Sequence, residues 1–353
     1  LSNVHTDAVD RPVTLSGVSL KNGAGDAVNN NYTITLESGR IVINQAGSTA
    51  TAATRTEPYT GTPYSFAAPT LNDPLGSPLT GVTYAYSLSP LGANDSGWTP
   101  IATFPTREDV KREAGGAVLG DVIYVRISHP NYGAQVTTST LTITPAPITV
   151  TADTNDTFVY TLDAAGTPVT WSVNTATLTS GTLFKGATLD YTLANNTQAA
   201  VGAHDVFVNT VNVKFGTVDY TGNYSIQTLP GHITVSKGTA ESHITAAGDT
   251  VTYDGEGHGI PAPVISVLAS DGTSIDRTGD FDITYDVTKA GSPETWHYTD
   301  LSDFDLTDAG VYTITIKATS DLHADPADAV VTLTINKRPV TVQSEDTSAA
   351  PYT

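Results

Sequence analysis

Two separate stretches of the chain repeat at one and the same offset. Asn31, Tyr32, Ile34, Gly39 and Ile41 return as Asn223, Tyr224, Ile226, Gly231 and Ile233, and Thr140, Leu141, Thr142, Ile143 and Pro147 return as Thr332, Leu333, Thr334, Ile335 and Pro339, all 192 positions apart. A period held in two places makes the chain an array of like units, each with its own small core. Two kinds of module fit within one period. A B type spans 47–145 and again 238–337, opening on Tyr59, Thr60, Gly61 and on Tyr253, Asp254, Gly255. An A type is complete once, over 146–237. Leu1, Asn3, Ala8 and Val9 match Leu193, Asn195, Ala200 and Val201, so 1–46 reads as the C-terminal part of another A module. Tyr352 and Thr353 match Tyr160 and Thr161, so 338–353 reads as the first strand of the next.

The local pattern is strand throughout. Tyr312, Ile314, Ile316 and Ala318 alternate with Val311, Thr313, Thr315 and Lys317, and Val331, Leu333 and Ile335 alternate with threonines. This period of two fits half-buried antiparallel strands. Similar runs occur at 82–88, 122–127, 148–152, 206–213 and 233–235, separated by Gly, Asn, Asp and Pro clusters. Strands at this spacing predict an all-β fold, a tandem array of immunoglobulin-like β-sandwich modules. One helical exception is expected: Thr106, Asp109 and the run to Gly115 carry a cap, an acid in the first turn and a glycine stop. The joints differ in kind. B runs into A through Pro145 and Pro147, or Pro339, and A runs into B through Ala46 and Gly47, or Gly238. Proline stiffens and glycine loosens, so a looser A-to-B joint is expected.

Composition removes several functions. The charge is 16 − 36 = −20 with no basic cluster, which argues against nucleic acid and against anionic membrane surfaces. No apolar run approaches the ~20 residues of a membrane span, so no direct membrane insertion is expected. Absence of Cys excludes disulfides and thiolate chemistry, and absence of Met suggests a piece of a longer protein.

The A module, with Ile148 to Ala152, Tyr160, Val201, Gly202, Asp205, Val206, Asn223, Tyr224 and Ile233 to Val235, resembles the YDG repeats of bacterial surface adhesins. The B module, with Tyr253, Asp254, Gly255, His258, Pro263 and Asp308 to Tyr312, resembles the companion MBG-type repeats. Two places depart from the pattern: Thr161 and Leu162 follow Tyr160, and the first B module has Thr60 where Asp would stand. The resemblance implies an extracellular, cell-surface array without catalysis. It implies a stalk that projects a distal binding region, with neighbouring modules of the same chain as partners. Two alternatives differ in class: the modules bind mucin or another host glycan directly, or copies assemble into an extracellular fibre by strand exchange. Asp308, Gly310 and Tyr312 also match the tyrosine corner of immunoglobulin-like folds. The first B module has Asp121 and Tyr124 there, so its corner must differ.

No nucleophile elbow or phosphate loop is present. The eight histidines lack helical ligand spacing and are expected at surfaces and turns. Acidic residues concentrate unevenly: 17 acids against 5 bases over 237–337 give −12, whereas 7 against 5 over 45–146 give −2. Asp276, Asp280, Asp282 and Asp286, with Asp300, Asp303, Asp305 and Asp308, are candidate oxygen ligands for calcium, set against a solvated acidic face. Lys214 and Lys317 are candidates for an intramolecular amide with Asn. Trp98 and Trp296, at like places in the two B modules, are read as packing residues before glycan-stacking ones.

Overall fold

In the computed structural model, which describes residues 11–13, 15–37, 39–41 and 44–344, β-strands account for nearly all regular structure. The expected tandem array of immunoglobulin-like sandwiches is the architecture. The matches at Leu1 to Val9, and at Tyr352 and Thr353, lie outside the described residues. The chain divides into two compact units: Leu1–Ile148, Ser180–Asp190 and Asn212–Ile226 form one, and Thr149–Thr179, Tyr191–Val211 and Gln227–Thr353 the other.

In the first unit a five-stranded sheet is ordered Ala53–Pro58, Tyr132–Thr144, Asp121–His129, Thr83–Ser87, Thr99–Pro100. Ala53–Pro58 runs parallel to its neighbour Tyr132–Thr144, from Ala53 opposite Ser139 to Pro58 opposite Thr144, and the other pairs are antiparallel. Alternation decides which face goes inward: Ile123, Val125 and Ile127 are wholly buried while Val122 stays exposed. Thr49–Thr51 pairs with Thr70–Asn72, bringing buried Leu71 into the same interior.

The segment expected to be helical is instead extended. Thr106–Arg107 pairs with Tyr64–Ser65, and Lys111–Arg112 pairs with Val118–Leu119 across a turn in which Glu113 N–H donates to Ala117 O at 3.0 Å. Gly116 sits at φ +85° in that turn, a conformation glycine alone takes readily. One or two helical turns gain too little to nucleate alone. Here Asp109 and Arg112 have partners more than a hundred residues away.

The second unit repeats the frame. Its five-stranded sheet runs Asp249–Thr252, Ala329–Asn336, Gly310–Thr319, Asp282–Lys289, Thr295–Tyr298, with Asp249–Thr252 again parallel to its neighbour, Ala329–Asn336. A three-stranded sheet holds Ser242–Thr245, Val264–Leu268 and Ser274–Asp276. Val287, Ile314, Ile316 and Leu333 form the dry centre, with Ile244 of the smaller sheet packed against them. The tyrosine corner forms as expected: Tyr312 Oη donates to Asp308 O at 2.8 Å. In the same unit Asn155–Val159 lies parallel to Gly231–Ser236, so the parallel closure recurs.

Candidate intermodule interface

The hairpin 106–119 is a docking element. It meets a 3-10 turn, Thr221–Asn223, whose shape is set locally: Asp219 Oδ1 accepts from Thr221 N–H at 2.8 Å, and Thr221 Oγ1 accepts from Val213 N–H at 2.8 Å. Hydrogen bonds from Thr221, side chain and then backbone, hold the Asp219 carboxyl below its ordinary range. Asn223, buried at the end of this turn, accepts from Val110 N–H at 2.7 Å and donates to Asp109 Oδ1 at 2.9 Å. The Arg112 guanidinium donates to Gly222 O at 2.9 Å and to Gly116 O at 2.8 Å. One arginine thus braces its own hairpin and the neighbouring turn, a use of its rigid donor fork that lysine lacks.

Aromatic packing completes the joint. Tyr59, 1 % exposed, meets Phe184 and Tyr224 edge to face at ring separations of 5.7 and 5.5 Å. Tyr224 Oη accepts from Phe184 N–H at 2.8 Å, and Lys185 pairs with Glu108, whose hydrogen bond raises the lysine. Burial, then the neighbouring Tyr224, pushes the Tyr59 phenol up to about 12, and its hydroxyl is buried without a partner. Gly61 is needed on two counts: φ is +71°, and a Cβ there would stand 2.9 Å from Phe184 Cβ.

A second interlock lies in the other unit, around Gly238, the glycine at which a looser linker was expected. Gly238 N–H donates to Leu322 O at 2.8 Å, and a Cβ at Gly238 would stand 2.9 Å from Tyr160 O and 3.0 Å from Leu322 O. The glycine allows close approach rather than freedom. Ala46 of the earlier linker likewise donates to Asn131 O at 3.0 Å. Around Gly238, Ser270 N–H donates to Leu162 O at 2.9 Å, Arg277 donates to Gly166 O, and Lys237 pairs with Asp325 at 2.9 Å. His323 corrects the surface reading of the histidines: 2 % exposed, it stacks on Phe281, meets Tyr160 edge-on and donates from Nε2 to Asp280 Oδ2 at 3.0 Å. His5 lies outside the described residues. His232, His258 and His297 face Asp156, Asp254 and Asp286.

Five of the eight candidate calcium ligands have partners of their own. Asp276 and Asp300 accept from backbone N–H groups two residues on, at Thr278 and Ser302, which lowers both carboxyls. Asp280 serves His323. Asp286 lies between Lys317 and His297, and those hydrogen bonds, the lysine's first, lower it. Asp308 faces Lys289, while exposed Asp282, Asp303 and Asp305 have no ion pair among the described residues. Among the described residues no three His, Cys, Asp or Glu side chains group as a metal-ligand set. Lys214 and Lys317, the candidates for an amide with Asn, pair with Asp190 and Asp286, both in reach of solvent. Asp254 accepts from Glu256 N–H and faces His258, with Gly255 at φ +95°, so that motif shapes its own turn. What sequence reasoning missed is the Asp109, Arg112, Asn223 clamp; the Asn223–Tyr224 repeat was its visible signal.

No protein-family model matches the chain, and no curated protein matches it. Similar solved structures include protocadherin gamma B2 extracellular cadherin domains 1–5, at 12% identity and TM-score 0.29, covering 82% of this chain and 60% of that one. Drosophila N-cadherin EC1–3 is 11% identical with TM-score 0.23, covering 83% of this chain and 100% of that one. The Clostridium thermocellum CbhA fibronectin(III)-like modules are 13% identical with TM-score 0.17, covering 64% of this chain and 90% of theirs. No helix among the described residues is long and apolar enough to cross a membrane.

Proposed function

We propose that the chain is a non-catalytic spacer from the stalk of a bacterial cell-surface adhesin, built of alternating YDG-like and MBG-like modules over 1–46, 47–145, 146–237, 238–337 and 338–353. In this reading it holds a distal binding region away from the cell. The observation that carries it is the pair of interlocks. Asn223 and Arg112 grip at one joint, and Gly238, Arg277 and His323 grip at the other, where a passive tether would have solvated linkers. A spacer that transmits reach needs resistance to bending more than it needs a pocket. Its acidic surface, −20 in net charge, limits lateral association. Small-angle scattering on the whole chain tests the role: an extended profile, unchanged by dilution, is expected, and the profile of a single compact globule would contradict it.

A further inference from the structure

We propose that the second unit takes up an extended strand of a cationic partner protein at the edge strand Ser242–Thr245, in the cleft between that edge and the segment 324–329. This site is independent of the spacer role. Ser242–Thr245 is the end of its three-stranded sheet, and among the described residues it pairs with Val264–Leu268 alone. Leu268 N–H donates to Glu241 O at 3.0 Å, so the main chain at 241, and by alternation at His243 and Thr245, turns toward that neighbour. The N–H and C=O groups of Ser242 and Ile244 therefore point the other way, to the open edge that borders the cleft. The cleft holds about 600 Å³, within the ~300–1,000 Å³ of ligand pockets.

Two features separate this edge from an ordinary one. The first is Ser242, which lines the cleft, is 6 % exposed, and has a buried hydroxyl without a partner among the described residues. Buried polar groups ordinarily find a partner, and leaving one unsatisfied costs about 1–3 kcal/mol. In the first unit the entry segment is closed instead: Gly133 N–H donates to Ala46 O at 3.0 Å, and Ser48 Oγ donates to Gly133 O at 2.7 Å. There the last strand, Tyr132–Thr144, has 13 residues, whereas Ala329–Asn336 has 8 and is preceded by Pro326, which has no N–H to pair. The wall at 324–328 thus stands off from the edge. The second feature is charge. Glu241, Asp325 and Asp328 line the cleft; Lys237 pairs with Asp325 at 2.9 Å and His243 faces Glu241 at 3.4 Å, while exposed Asp328 has no ion pair among the described residues. An added strand gains affinity from main-chain hydrogen bonds and selectivity from its alternate side chains. The partner strand therefore brings lysine or arginine within reach of these acids, and a small hydroxyl or amide side chain beside Ser242. A second copy of the chain, at −20, has the wrong sign.

The test follows main-chain amides of the full chain by NMR. The isotope-labelled protein is titrated with the blocked peptide Lys-Val-Lys-Ser-Lys-Val-Lys, with its counterpart carrying glutamate for lysine, and with a form N-methylated at alternate residues. The cationic peptide is expected to bind saturably and to slow hydrogen exchange at the Ser242 and Ile244 amides, while Ser274 and Asp276, on the opposite edge of the same sheet, stay unchanged. N-methylation is expected to abolish that protection. Ser242→Ala is expected to keep or raise the melting temperature and to remove the preference for the serine peptide over its alanine analogue. Glu241→Lys with Asp328→Lys, both at exposed positions, is expected to weaken binding about tenfold without moving the melting temperature. The proposal is overturned if the cationic peptide leaves the two amides unprotected, if the glutamate counterpart binds as well, or if the charge-reversed variant binds as tightly as the parent. Protection that appears in the peptide-free chain on concentration would assign the edge to a second copy and overturn it equally.

Discussion

The five-stranded sheets around Asp121–His129 and Gly310–Thr319, one in each unit, share a frame and differ in what the chain does with one segment beside them. In the first, the stretch before the Asp121–His129 strand is lengthened into the hairpin 106–119, which grips the Thr221–Asn223 turn. In the second, the equivalent stretch is short, runs from Phe304 to Asp308 into the tyrosine corner, and leaves a cleft open. The opening motifs diverge in step. Tyr59 is 1 % exposed and Gly61 abuts Phe184, whereas Tyr253 is 41 % exposed and nothing lies within 4 Å of a Cβ at Gly255. Charge follows the same division, −2 against −12. A repeated core thus constrains the strands and leaves the segments between them free to serve a joint in one copy and a short tyrosine corner in the other.

The largest expected effect is at the tyrosines. Tyr59→Ala should cost about 3–5 kcal/mol of unfolding free energy, as for other buried aromatics, and Tyr253→Ala less than about 1 kcal/mol. Equal losses in denaturant titrations would erase the contrast. Next is Gly238→Ala, where the new methyl must displace Tyr160 O or Leu322 O and is expected to cost about 1–3 kcal/mol. A neutral result would mean the linker has room after all.

Acid should separate the copies in a known direction. Asp254, Asp271, Asp276, Asp286, Asp300 and Asp325, all in the second copy, have pKa values lowered by hydrogen bonds, from backbone groups at Asp254, Asp271, Asp276 and Asp300 and from Lys317 and Lys237 at Asp286 and Asp325. A folded pKa below the unfolded one gives stability that is present above the unfolded value, about 4, and is lost as pH falls through the folded value. Hydrogen exchange at falling pH should therefore release Gly310–Thr319 before Asp121–His129. Simultaneous release would contradict the contrast. Smallest is Tyr59→Phe, which removes a buried hydroxyl without a partner and should leave stability unchanged or raise it by up to about 1 kcal/mol. A clear loss would reveal a bond to that hydroxyl.

Much of this was legible in the sequence, for local reasons. Alternation at 122–127 and 311–318 identified inward faces because strand periodicity is a property of neighbouring residues. The Tyr312 corner was legible because donor and acceptor lie four residues apart. The helix expected at Asp109 to Gly115 failed because Asn223 lies 114 positions from Asp109. The close approach at Gly238 was hidden for the same reason: it comes from Leu322, 84 positions on. The aspartates suggested a cation because acids cluster in sequence, yet Asp276 and Asp300 spend their oxygens on their own turns.

The central claim, that the hairpin 106–119 fixes its joint, is open to one direct measurement because the chain has no cysteine. Spin labels at Leu88→Cys and Val218→Cys, both exposed positions of the first unit, report the distance across the joint by pulsed electron resonance. A single narrow distribution is expected, broadening when Arg112→Ala is combined with Asn223→Ala. A broad distribution in the parent, or a narrow one that survives both substitutions, would contradict the claim.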